Sequence, residues 1–391
     1  MVNVVLAGGG TAGHTSPLIA TAMALQERGA TVSCIGTPRG LEGRVIPEAG
    51  LQLDMIPPVP LPRTVNADLF KVPARLAGAV RKAGEVLQRR QTDVVVGFGG
   101  YVSLPAYLAA RRAKIPVVIH EQNAVPGLAN KIAARFAVFV GTAFPDTPLP
   151  KARFVGMPLR SQITDLADAS GQARAERCAR ARADLGLDIN RPTLLVSGGS
   201  QGAVAINEAV VAARTRLLAD GVQILHVLGP KNIRGATRIT DELTGASWLP
   251  MGYVDDMASA YAAADLMVAR SGAGTVVETA TVGLPTIYVP LPHGNGEQAR
   301  NATSAVDAGA GVVVANADLD VERLLAETAR IHDADVLAQM SAAGRGLMPA
   351  HAAEEMAVRV ISAATSIDPT IGRGDISCHC GNLSSYLIAA P

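Results

Sequence analysis

The chain has 391 residues, 49% of them apolar, 18% charged and 39 of them glycine, more than one ordinary core accommodates, so two domains are expected. A formal net charge of +1 and an aromatic content of 3% supply neither the basic field nor the stacking platforms that nucleic acid needs, which removes it as a partner. The four cysteines, Cys34, Cys178, Cys378 and Cys380, are too few and too scattered for a disulfide framework and fit a reducing compartment.

Residues 1–26 contain no Lys, Arg, Asp or Glu, yet they lack a basic leader and are interrupted by glycines, so they read as a buried strand, a loop and a helix. No other stretch is apolar for long enough to span a bilayer, and any membrane contact is expected to be peripheral. The strand Val2 to Ala7 runs into Gly8-Gly9-Gly10-Thr11-Ala12-Gly13-His14 and then a helix, Ser16 to Gln26. Gly8, Gly10 and Gly13 satisfy G-x-G-x-x-G, but a dinucleotide site also wants an acidic residue at the end of the second strand. That strand, Thr31 to Ile35, is followed by Gly36-Thr37-Pro38-Arg39, with no carboxylate, and Arg39 leaves room only for a 2′-phosphate form.

Strands at Asp93 to Gly97, Pro116 to His120 and Ala137 to Val140 alternate with helical patterns and predict a parallel sheet wound with helices. Two of them end in polar or flexible runs, 97–105 and 120–127. From Pro57 to Arg90, apolar residues including Phe70 are interleaved with Arg63, Lys71, Arg75, Arg81, Lys82, Arg89 and Arg90, against only Asp68 and Glu85. That surface suits anionic lipid headgroups, with a solvated basic helix as the alternative. Pro145 to Pro158 has the proline spacing of a linker.

The second half repeats the plan with strands Thr193 to Ser197, Gln223 to Leu228, Leu266 to Ala269, Thr286 to Val289 and Gly311 to Val314. Gly198-Gly199-Ser200-Gln201-Gly202-Ala203 precedes a helix and offers an anion seat. The same letters match G-x-S-x-G, which would make Ser200 a nucleophile with Asp255 and His293 as partners, but that leaves the duplicated sheets unexplained. Ser271 and Gly272 form a turn, Thr275 to Val282 a helix stopped at Gly283. Glu278 stands where a carboxylate could accept two neighbouring ribose hydroxyls while N–H groups at 271–275 face phosphate, the alternative being a glutamate that satisfies the helix dipole. Asp318 and Asp320 precede a helix as capping residues do. A last helix, Ala352 to Thr365, precedes a tail expected to be loosely held. Its Cys378-His379-Cys380 fits no standard zinc spacing.

Taken together, GGGTAGH, GFGGYVSLP, HEQNAVPGLAN, GGSQGA and SGAGTVVE resemble the MurG family of UDP-N-acetylglucosamine transferases of peptidoglycan synthesis, over about residues 1–365. The resemblance implies an α/β fold of the GT-B type, two Rossmann-like domains facing a deep cleft, at 1–158 and 159–345, with the helix 352–365 packed back on the first. It implies inverting transfer of GlcNAc from UDP-GlcNAc to the C4 hydroxyl of MurNAc in undecaprenyl-pyrophosphoryl-MurNAc-pentapeptide, lipid I, giving lipid II. The enzyme would work without metal or other cofactor, as a peripheral protein on the cytoplasmic face of the cell membrane, with other cell-wall enzymes as candidate partners. Carried over residue by residue, the donor contacts are Thr11, Ala12, Gly13, Asn123, Arg160, Ser200, Val254, Ala273, Gly274, Thr275, Val276, Val277, Glu278 and Gln298. His14 is the first candidate for the general base, kept neutral by its place at a helix start, and Glu121 the second. Where family members often carry two successive glutamines this chain has Glu297-Gln298, so the first can only accept hydrogen bonds when ionised. A UDP-GlcNAc 2-epimerase of the same architecture and a non-catalytic scaffold are the alternatives from other classes.

Overall fold

The computed structural model describes every residue except 39, 60–70, 200, 201, 293, 294 and 366–391, and at Ala12 only the backbone. The expectations for Arg39, Arg63, Asp68, Phe70, Ser200, His293 and the 367–391 tail with its Cys378-His379-Cys380 therefore lie outside the described residues. Two seven-stranded sheets are present. The first contains β1 (Asn3–Ala7), β2 (Thr31–Gly36), β3 (Gln52–Met55), β4 (Val94–Gly97), β5 (Val117–Glu121), β6 (Phe139–Thr142) and β7 (Ala152–Phe154), ordered β3-β2-β1-β4-β5-β6-β7. The second contains β8 (Thr193–Ser197), β9 (Gln223–Val227), β10 (Ile239–Thr240), β11 (Ser247–Met251), β12 (Leu266–Ala269), β13 (Thr286–Tyr288) and β14 (Gly311–Val313), ordered β10-β11-β9-β8-β12-β13-β14. All pairs are parallel except β10 with β11.

Parallel strands covered on both faces need apolar residues at successive positions. In β1, Val4 and Leu6 enter one core and Val5 and Ala7 the other; in β8, Leu194 and Val196 face one way and Leu195 the other. Each fully buried aliphatic side chain of this kind contributes about 1.5–3 kcal/mol. Crossovers in the first half are α1 (Ala12–Glu27), α2 (Glu42–Glu48), α3 (Val72–Arg89), α4 (Gly100–Arg112) and α5 (Leu128–Ala133). The second half carries α6 (Ser161–Asp168), α7 (Gly171–Asp184), α8 (Val204–Ala219), α9 (Met257–Ala263), α10 (Ala273–Val282), α11 (Glu297–Asp307), α12 (Val321–Thr328) and α13 (Ala334–Gly344).

The final helix, α14 (Ala352–Thr365), returns to the first sheet. Ala353, Met356, Ala357 and Val360, one face of a helix, join the core formed by Val4, Leu6, Leu18, Leu25 and Val94. The chain thus crosses between the halves twice, and the crossings touch. Gly156, at φ +82, leaves no room for a side chain, since a Cβ would lie 2.6 Å from the Pro349 carbonyl oxygen. The buried His120 donates from Nε2 to the Gly156 carbonyl at 2.7 Å and accepts at Nδ1 from the Gln122 amide.

Four strands, β3, β7, β10 and β11, carry no clear signature in the sequence. β3 and β7 are half-exposed and short, and β7 lies within the proline-rich linker. β11 contains Pro250, whose position lies beyond the pairing with β10, so its missing N–H is not needed on that side. Asp320 caps α12 by accepting from Arg323 N at 2.7 Å, as its sequence position suggests. Among the described residues no helix is long and apolar enough to cross a membrane, and no cluster of His, Cys, Asp and Glu could hold a metal ion.

Candidate active site

The order of both sheets reverses beside their first strands, β1 against β4 and β8 against β12, and crevices form at such switch points outside the carboxyl ends of the strands. A cavity of about 750 Å³ opens there and is lined from both halves. From the first half come Thr11, Gly13, His14, Glu121 and Asn123; from the second, Arg160, Val254, Ala273, Gly274, Thr275, Glu278 and Gln298. Val276 and Val277 are not in its wall. Both are fully buried in the core, because they lie on the face of α10 turned from the cavity, to which Glu278, one helical turn after Gly274, returns. The Val276 N–H is spent on the Gly272 carbonyl, so these two side chains are corrected from site residues to core residues.

Helix α1 begins at Ala12 rather than Ser16, which places His14 in its first turn. Pro17, which suggests a later start, sits inside the helix and simply withholds one N–H. Thr11 is the N-cap, but its hydroxyl pairs with His14 Nδ1 at 2.8 Å instead of capping a backbone N–H. The His14 pKa is lowered chiefly by burial, with the charge of Glu42 acting in the opposite direction. The direction matches the sequence expectation, while the leading cause is desolvation rather than the helix dipole.

Glu121 is nearly fully buried. Its Oε1 accepts from Asn123 N at 3.0 Å, and Oε2 from Gly127 N at 3.0 Å and Asn130 Nδ2 at 2.9 Å. Burial raises its pKa and these donors pull it back down. So bonded, the carboxylate holds the 121–130 loop in shape and is poorly placed to take a substrate proton, which demotes it as a candidate base.

In the second half, α10 starts at Ala273 with Gly272 as N-cap and no side-chain cap, so its first N–H groups face the cavity. It ends as the sequence predicts, at Gly283 in the left-handed region with φ +67. Glu278 is in the second turn and no acidic residue is in the first, so the macrodipole reading does not apply. Its Oε2 accepts from the Tyr261 hydroxyl at 2.7 Å. Burial raises the Glu278 pKa, opposed by Tyr261 and Arg160. Gln298 Oε1 accepts from Leu291 N at 2.9 Å, tying the start of α11 to the loop after β13, and Glu297 lines the same wall.

Three residues of the site are not evident from the sequence. Arg270, at the end of β12, reaches the cavity and donates from Nη1 to the carbonyls of Val289 and Pro290 at 3.0 and 3.1 Å. Asn301, fully buried in α11, joins the halves: Oδ1 accepts from Ala124 N at 2.9 Å, and Nδ2 donates to Asn123 Oδ1 at 3.3 Å. Glu42, fully buried beneath the first glycine loop, accepts from Gly10 N at 3.0 Å. The signal for Glu42 lay in the glycines around it, at 36, 40 and 43.

Comparison with known proteins places the chain. Residues 4–142 match the glycosyltransferase family 28 N-terminal domain and residues 193–356 its C-terminal domain. A UDP-N-acetylglucosamine--N-acetylmuramyl-(pentapeptide) pyrophosphoryl-undecaprenol N-acetylglucosamine transferase of a Nocardioides species is 54% identical over 91% of this chain and 96% of its own length. The Frankia casuarinae protein of the same name is 48% identical over 93% and 96%. The crystal structure of Acinetobacter baumannii MurG superposes with a TM-score of 0.75 at 28% identity, over 93% of this chain and all of that one. The calicheamicin glycosyltransferase CalG4, at 17% identity and a TM-score of 0.66 over 94% and 99% of the two chains, shares the fold alone. With two Rossmann-like sheets opposed across one cavity, this chain has the GT-B fold and belongs to glycosyltransferase family 28 and, within it, to the MurG family.

Proposed function

We propose that the protein transfers GlcNAc from UDP-GlcNAc to the C4 hydroxyl of MurNAc in lipid I, with inversion at the anomeric carbon, giving lipid II for peptidoglycan synthesis. The observation that carries this reading is one cavity with two unlike walls, an uncapped helix start with Glu278 on one side and a neutral imidazole on the other. On the donor wall, Glu278 takes the ribose hydroxyls, the free N–H groups at 273–275 and the loop containing Ser200 face the diphosphate, and Val254 meets the uracil through its backbone. Gln298 takes GlcNAc hydroxyls. Thr11, Ala12, Gly13 and Asn123 close over the donor from the other side, and Arg160 meets it from the start of the second half. The divided duty follows the chain, with acceptor chemistry assigned to 1–158 and donor binding to 159–345.

On the acceptor wall, His14 removes the C4 proton as the hydroxyl attacks and UDP departs. That role needs the tautomer in which Nδ1–H donates to Thr11 Oγ1, leaving the Nε2 lone pair free for the incoming proton. The leaving diphosphate gains its charge against preorganised N–H groups, the kind of stabilisation that a low-dielectric cleft makes strong. The lipid tail requires a membrane, and Arg75, Arg81 and Lys82, exposed on α3, supply cations for anionic headgroups at its cytoplasmic face. Arg89 and Arg90 are both paired with Asp54, at 2.7 and 2.8 Å, and Lys82 with Glu85 at 2.9 Å, so the basic surface is smaller than the composition of 57–90 suggests.

The test is a coupled UDP-release assay with a short-chain lipid I analogue. Release that depends on acceptor is the expected result. Conversion of the donor without acceptor to an epimeric UDP-sugar, with no net UDP release, would point to an epimerase, and an unchanged donor with acceptor present to a scaffold.

A further inference from the structure

We propose that Glu42 is the resident anion beneath the first glycine loop, held by the Gly10 N–H on the side away from the cavity and thereby fixing the peptide that carries His14. It is a positioning residue, and its role deepens the transferase reading on which it rests. The first half keeps the letters G-x-G-x-x-G directly after β1 and before α1, the setting in which backbone N–H groups meet a dinucleotide. Here the Gly10 N–H meets a carboxylate of the chain itself.

A carboxylate with no accessible surface must be supplied with donors, because burying it bare is far more costly than leaving it in water. Glu42 is supplied on both sides. Oε2 takes the Gly10 N–H, while Oε1 takes the Thr37 N–H at 3.1 Å and the Thr37 hydroxyl at 2.8 Å. The space is kept by absent side chains. A Cβ on Gly9 would lie 2.5 Å from Glu42 Cδ, one on Gly36 2.8 Å from Cγ, and one on Gly40 2.0 Å from Oε2. Two segments, the loop after β1 and the turn after β2, therefore close around one side chain, which is the shape of a built anion seat with its anion in place.

The seat is mechanically connected to the acceptor side of the cavity. Gly10 adopts φ +91 and is followed by Thr11, whose hydroxyl meets His14 Nδ1 and whose carbonyl accepts the His14 N–H at 3.1 Å. The second glycine loop leans on the first: a Cβ on Gly100 would lie 2.7 Å from the Gly9 carbonyl oxygen, and the Tyr101 hydroxyl is 3.4 Å from Thr37 Oγ1. Removing the charge of Glu42 releases Gly10 and, one residue on, the hydroxyl that orients the imidazole.

The experiment uses the full chain with two substitutions outside the cavity wall, Glu42→Gln and Thr37→Val, each first checked for parent-like near-UV circular dichroism. Expected for Glu42→Gln is a fall in kcat of about ten- to a hundredfold, the usual effect of misplacing a reacting group by about an ångström. UDP-GlcNAc affinity should stay within about twofold, since the donor wall is in the other half. Thr37→Val, which removes one donor and keeps the carboxylate, should lower kcat by about two- to tenfold. His14 ring resonances, recorded at alkaline pH where the ring is neutral, should move in both variants. Folded variants with parent kcat and unmoved His14 resonances would overturn the proposal, as would loss of donor affinity by the same factor as turnover. If Glu42→Gln does not fold, Thr37→Val decides by the same criteria. Should the parent itself release no UDP with acceptor, the transferase reading fails, while the His14 resonances still decide the positioning.

Discussion

Replacing Glu278 by alanine tests the donor wall most directly. The Tyr261 bond at 2.7 Å occupies one lone pair of Oε2 and fixes the carboxylate at the cavity edge, which leaves Oε1 and the rest of Oε2 for the two ribose hydroxyls. Losing hydrogen bonds to a charged acceptor costs about 1.5–3 kcal/mol. The donor Kd should therefore rise by about ten- to a hundredfold or slightly more. Isothermal titration with UDP-GlcNAc and with its 2′-deoxy analogue closes a cycle: the parent should discriminate the two strongly and Glu278→Ala weakly. Tyr261→Phe removes only the orienting bond and should cost about 0.5–1.5 kcal/mol of stability with a smaller loss of affinity. Burial raises the Glu278 pKa, and the ionised form is the acceptor, so parent affinity should decline as pH falls through that raised value while the alanine variant stays flat. Equal losses for the ribose and deoxyribose donors in Glu278→Ala would remove the ribose assignment.

His14→Ala should lower kcat by about 10²- to 10⁴-fold with little change in donor affinity, and should abolish an acidic limb that, in the parent, lies below the ordinary imidazole range because burial lowers the pKa; a variant that loses donor binding and keeps kcat refutes the base. His226, hydrogen-bonded to Asn207 and Trp248, is pulled down to about 4 by burial, so the unfolded chain binds the extra proton between about pH 6.5 and 4 and stability should fall as pH falls through that window, by up to about 3 kcal/mol. Urea titrations of His226→Asn should show a pH slope reduced by about one proton relative to the parent, and an unchanged slope counts against it. Charge reversal at Arg75, Arg81 and Lys82 should reduce binding to anionic vesicles, each charge contributing about 1 kcal/mol, and spare turnover of a water-soluble acceptor; unchanged vesicle binding would dispose of the patch.

What could be read from the residues were the parts written locally. Central strands such as β1, β4 and β8 are continuous apolar runs between glycine-rich turns, and α10 announces its end with Gly283. His14 and Glu278 could be singled out because each follows a strand-to-helix turn, and both line the cavity. Edge strands β3 and β7 were not, because half-exposed residues lose the apolar pattern. Asn301 acts through a partner 177 positions away, a relation that no local pattern records, and the glycines near Glu42 hint at its burial but not at its partner 32 positions away. Glu121 shows the converse: its motif context suggested chemistry, and its three donors, which lie in the loop that follows it, are not written in any local pattern.

The return of α14 to the first sheet has a consequence for synthesis. As the nascent chain leaves the ribosome, the core around Val4, Leu6 and Val94 is complete in sequence but for the face carried by Met356 and Val360. About 200 residues must still be translated before that face arrives, roughly 10–40 s at ordinary elongation rates. During that interval the sheet presents an apolar strip to the cytosol while the second half folds as one uninterrupted stretch. A release of the chain before α14 therefore leaves a complete second half joined to an unsealed first sheet, a species suited to capture by chaperones.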